Sequence, residues 1–192
     1  VNNERPWRLW RALGSLLFVL AVPASASGYA AGEQWPSWGN TQFWSSSIAD
    51  CTFAAAANWE AVVLHRTPAE SEVISEFYAA GGNTQGGIDV ETFEAWWRHH
   101  GIAGVRAQLR ELPGEDVLGV DGLRLPERAV HRLRSALHRY HALIWEDDNH
   151  VALIVGYTAA GPLLASYGEV VQMSWSEWRE KTWGVYRPEL TH

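Results

Sequence analysis

The 192-residue chain holds a single cysteine, Cys51. That excludes an internal disulfide framework and a cysteine-rich zinc site, since each needs partners the sequence lacks. Basic charge is scarce as well. Fifteen Lys and Arg stand against 22 Asp and Glu, a formal net charge of −7. A general nucleic-acid binder needs a basic face, so nucleic acid is not an expected partner. No phosphate-loop pattern occurs, and no metal or other cofactor is implied. Internal repeats are also missing. The N-terminal apolar run, Ala12 to Ala26, has 15 residues, short of the roughly 20 that a spanning helix needs.

What is present is apolar and aromatic. Hydrophobic residues make up 47% of the chain, with 12 tryptophans. That supplies one ordinary domain with a substantial core. Arg5, Arg8 and Arg11 precede the short apolar run, and Pro23 and Ala24-Ser25-Ala26 follow it. A basic stretch, an apolar stretch and a small-residue cleavage site form the plan of a secretory signal peptide over residues 1–26. An uncleaved anchor is the other reading, and membrane contact is then expected through this segment alone. The protein is expected to be secreted or associated with the cell envelope. Residues 27–48, rich in Gly, Ser and Trp, read as an extended lead-in, and residues 49–192 as the folded domain.

Helical signals come first along that domain. Cys51 to about Leu64 is alanine-rich and apolar nearly all round, the pattern of a buried helix. Asp50 stands where an N-cap would. Thr67-Pro68 is expected to open a second helix, with Glu70 and Glu72 in its first turn. Gly81 to Gly87 reads as a loop. Asp89 to His99 reads as a third helix, stopped by Gly101. His99 and His100 suit the negative end of that helix better than a metal site. Trp96 and Trp97 read as core, though with Trp38 and Trp44 they are also candidates for a groove lining.

Strand signals follow. Residues 105–109 are a strand candidate, 110–126 a loop, and Glu127 to Tyr140 an amphipathic helix. Residues 141–145, 150–157 and 163–167 then form an antiparallel meander. Ser174 and Glu177 have capping-box spacing, opening a short helix through Trp178. Residues 183–187 are expected to add a last strand. Helices first and an antiparallel sheet second predict an α+β fold.

Cys51 at a helix start and His150 at a strand start are the chemistry-bearing pair. A helix N-terminus and a neighbouring imidazolium both favour a thiolate. The same helix end offers N–H groups to an oxyanion. His150 would take the thiol proton and return it to a leaving amine. Taken singly, Cys51 also reads as a small buried residue and His150 as a structural strand-end histidine.

The order of Asp50-Cys51 and an apolar helix, a long insertion, HVALIVGY at 150–157 and LLASYG at 163–168 resembles the papain-like cysteine peptidase superfamily. The looser likeness is to bacterial members related to bacteriocin-processing peptidases, and to secreted actinobacterial members that share the start and the ending seen here as YGEVVQMSW, 167–175. The resemblance spans about residues 35 to 188. It implies a Cys-bearing central helix packed on a small antiparallel sheet. It also implies a Cys51–His150 dyad that cleaves peptide or amide bonds through a thioester, with a peptide or protein as partner. The family's orienting Asn falls on Ala165 or, counted without a gap, on Ser166, and neither is Asn. Ser166 is the candidate orienting residue, with Asp147 and Asp148 as further acceptors if the turn folds back. The family's oxyanion Gln lands on Ser45, which leaves Gln42 as a displaced candidate. An inactive binding module on the same fold is the alternative, and a cell-wall peptidoglycan endopeptidase or amidase a second.

Overall fold

The computed structural model describes residues 50–113, 127–166 and 168–191. The signal peptide at 1–26, the lead-in at 27–48 with Trp38, Gln42 and Trp44, and residues 114–126 lie outside them. In chain order the elements are α1 (Cys51–Val63), α2 (Glu70–Ala79), α3 (Val90–His99), β1 (Ala107–Glu111), α4 (Glu127–Tyr140), β2 (Leu143–Glu146), β3 (Val151–Tyr157), β4 (Pro162–Ser166), β5 (Glu169–Gln172), α5 (Trp175–Lys181) and β6 (Gly184–Leu190). The six strands form one antiparallel sheet in the order β1-β6-β2-β3-β4-β5. The fold is α+β, with the Cys51 helix packed on the sheet.

Helix α1 behaves as its composition requires. Every residue from Thr52 to Val62 is buried, because no side of the helix is polar enough to face water. Its alanines bring the backbone close to the sheet. Phe53 meets Phe77 of α2 and Phe93 of α3 edge-on, with ring centroids 5.8 and 5.1 Å apart. Trp59 meets Trp97 of α3 at 5.6 Å. Such aromatic pairs contribute about 0.5–1.5 kcal/mol each beyond the area they bury.

Local chemistry corrects two expected boundaries. Helix α2 starts at Glu70, later than Thr67-Pro68. Ala69 is extended, and the Glu72 carboxylate accepts its N–H at 3.2 Å, so the cap forms there. Strand β1 starts at Ala107, not 105, because Ile102 and Val105 exchange two backbone hydrogen bonds of 2.8 Å in a tight turn. That turn needs Gly101 at φ +85, where a Cβ would lie 2.7 Å from the Val105 carbonyl oxygen. Gly101 thus ends α3 as its sequence position suggests. At the other end of α3, Asp89 accepts from the Thr92 N–H at 2.8 Å.

The sheet divides the core in two. Ile144 and Leu153 point to α1–α3 and join Phe53, Phe77 and Trp97. Trp145 and Ile154 point to α4 and α5 and join Leu133, Leu137 and Trp178. Burial on both faces accounts for the unbroken apolar run of β3. The meander β2-β3-β4 extends into β5, a half-exposed edge strand that composition did not announce. The Ser174–Glu177 capping box opens α5, which carries the chain back across the sheet. Strand β6 then inserts between β1 and β2 rather than adding to the meander's end. The pairings of Glu146 with Val151 and Gly184, and of Ser166 with Glu169, gather the end of β2, the starts of β3 and β6 and the end of β4 at one edge of the sheet.

Candidate active site

Cys51 is the first residue of α1, and its side chain is half-buried. Three backbone N–H groups face its sulfur: those of Val151, Thr52 and Cys51 itself. Val151 opens β3 directly after His150, so helix start and strand start meet at the thiol. The His150 Nε2 atom lies 2.7 Å from Ser166 Oγ at the end of β4. The edge of the His150 ring also meets Trp145, at 6.5 Å between centroids and 71° between planes.

The two positions that align with the family's Asn face opposite ways across β4. Ala165 is buried in the core shared with α1 and takes no part. Ser166, one residue later, projects to the other side and reaches the imidazole. Asp147 is engaged with the backbone of its own turn. Its Oδ1 accepts the backbone N–H groups of Asn149 at 3.0 Å and His150 at 2.7 Å. Asp148 is exposed. Gln42 and Ser45 lie outside the described residues.

Asp50 stands in the N-cap place, and its carbonyl starts the helix by accepting the Ala54 N–H at 2.9 Å. Its side chain makes no cap bond and is buried, contrary to the expected cap. His100 stacks on Trp96, with ring centroids 4.0 Å apart. Trp97 is fully buried, as a core residue should be, while Trp96 is only partly so.

The electrostatics depart from the expected thiolate. Burial pushes the Cys51 thiol up, since an anion loses water there. The N–H groups of Val151 and Thr52 pull the other way, and the Asp50 charge adds to the rise. Burial likewise holds His150 below 6.5, with Asp147 partly opposing it. At neutral pH the Cys51 thiol and the His150 imidazole are therefore both neutral. A neutral imidazole is a competent proton acceptor, whereas a preformed thiolate–imidazolium pair would need both shifts reversed.

Sequence reasoning missed two supports. Trp145 was read only as a strand residue, yet strand alternation beside the turn directs it to the His150 side. The turn Asp147-Asp148-Asn149 carried a usable signal, because Asp in a turn accepts backbone N–H groups two residues on.

No protein-family model matches the chain, and no curated protein matches it. Among solved structures, it is similar to a double glycine motif protease from an AMS/PCAT transporter, determined in complex with the leader peptide. Identity is 15%, the match covers 78% of this chain and 96% of that one, and the TM-score is 0.46.

Proposed function

We propose that the protein is an exported cysteine peptidase or amidase of the papain-like type. Cys51 is the nucleophile, His150 the general base and then acid, and Ser166 the group that holds the imidazole. The reading is supported above all by the contact between the Cys51 sulfur and the N–H of Val151, the residue after His150. The Ser166 contact to Nε2 supports it further.

In this mechanism Nε2 donates its hydrogen to Ser166 Oγ, which leaves the Nδ1 lone pair for the thiol. Nδ1 takes the thiol proton as sulfur attacks the substrate carbonyl carbon. The oxyanion is received by backbone N–H groups at the start of α1, with Gln42 as the further donor that the family resemblance implies. The C–N bond then breaks, and His150 returns the proton to the leaving amine. Water, activated by His150, hydrolyses the thioester and restores the thiol. A serine hydroxyl both donates and accepts, so it fixes the tautomer less firmly than an amide or carboxylate oxygen would. A modest rate follows.

The test is turnover of a peptide library by the secreted chain. Cys51→Ala should abolish turnover and leave thermal unfolding unchanged. Full turnover in that variant would refute the reading. The raised thiol and the serine at the orienting position favour a second reading, a peptide-binding module without catalysis. It predicts saturable peptide binding, equal in the wild type and Cys51→Ala, with no cleavage by either.

A further inference from the structure

The turn between β2 and β3 is built around one carboxylate. Asp147 Oδ1 accepts the N–H of Asn149 at 3.0 Å and of His150 at 2.7 Å. The Asp147 N–H in turn donates to the His150 carbonyl at 2.9 Å. The backbone of His150 is therefore tied to Asp147 through both its N–H and its C=O. A residue held at both ends of its peptide frame has a fixed Cα–Cβ direction. Here that direction carries the imidazole toward Ser166 and Trp145. The same carboxylate is the charge that acts on the imidazole among the described residues. Glu146 is engaged by the Tyr186 hydroxyl at 2.6 Å, Asp148 is exposed, α1 begins with the buried Asp50 and the half-buried Cys51, and β4 presents the Ser166 hydroxyl.

We propose that Asp147 is a positioning residue for His150: its carboxylate aims the imidazole by closing the turn, and its negative charge strengthens that imidazole as a base. The inference rests on the dyad reading above. The two roles separate chemically. Asparagine keeps an oxygen acceptor and favours the same turn, but it carries no charge. Alanine removes both.

The experiment uses the full chain and two readouts. The first is proton NMR titration of the His150 ring, which needs no substrate. The second is the pH profile of kcat/KM on a peptide found by the library screen. Asp147→Asn should move the His150 titration, and with it the acid limb of the profile, to lower pH. Its rate at pH 7 should fall no more than about tenfold, as base strength alone is lost. Asp147→Ala should give the same pH shift plus a larger fall, on the order of 10²-fold, because the imidazole is no longer aimed. If Asp147→Asn titrates as wild type does, the electrostatic role is refuted. If Asp147→Ala behaves as Asp147→Asn does, the aiming role is refuted. If neither the wild type nor any variant cleaves peptides while the titration still shifts, the peptidase reading fails and the effect of Asp147 on His150 stands.

Discussion

Glu60 offers a quantitative test of the Cys51 helix that needs no substrate. It lies near the C-terminal end of α1 with its side chain fully buried. Neither carboxylate oxygen has a hydrogen-bond partner among the described residues. The nearest cation is Arg66, whose Nη1 is 3.7 Å from Oε2 and whose Nη2 donates to the Ala103 carbonyl. Burial pushes the Glu60 carboxyl from the ordinary 4.5 to about 8, against the pull of Arg66 and with a push from Glu72. Unfolded, Glu60 releases its proton near 4.5. Folded, it holds the proton until about 8. Between those values the folded state binds more protons, so stability falls as pH rises and levels off above the higher one. Each pH unit in that window is worth about 1.36 kcal/mol. The loss is thus about 1 kcal/mol at pH 5, about 3 at pH 7 and about 5 at pH 9, as upper figures, because water entry and movement of Arg66 relax part of it. Glu60→Gln keeps the shape and removes the titration. Urea unfolding of both proteins at the three pH values measures the effect. The stability gap in favour of the variant should widen by up to about 4 kcal/mol from pH 5 to pH 9. A gap that stays constant would show that Glu60 ionises normally, and that α1 is more open to water at this end than the structure has it.

Other outcomes follow from particular contacts. Ser166→Ala should lower kcat by about 10- to 100-fold with KM little changed, measured on the library peptide, since only the hold on the imidazole is lost. The acid limb of wild-type kcat/KM should have its midpoint below pH 6.5, because the base proposed here, His150, acts when neutral and burial lowers its value; a midpoint above 6.5 would contradict that proposal. Trp97→Ala should destabilise the protein by about 3–5 kcal/mol in denaturant unfolding, through loss of a fully buried ring and of its bond to the Val105 carbonyl. Gly161→Ala should cost about 1–3 kcal/mol or more by the same measurement, as a Cβ there would lie 1.8 Å from the Met173 carbonyl oxygen, a backbone atom that has little room to yield.

Much of this molecule was legible residue by residue. Alanines and aromatics on every side of Cys51–Val63 require a buried helix. The stripe of Val130, Leu133 and Leu137 requires an amphipathic one, Ser174 and Glu177 set the start of α5, and the apolar run after His150 requires a strand covered on both faces. These depend on periodicity and on contacts three or four residues apart, which the chain carries locally. The contacts between distant segments were not written there. The aromatic stretch at 183–187 suggests a strand without saying that its neighbours are β1 and β2. Ala165 and Ser166 are equally good candidates until the pairing with β3 turns one into the core and the other toward His150. The helix start before Cys51 promised an anion, and burial against β3 reversed that, because desolvation is a property of the whole packed site. Pairing partners, facing and the dielectric around a charge are set by residues tens of positions away, so only the folded chain could decide them.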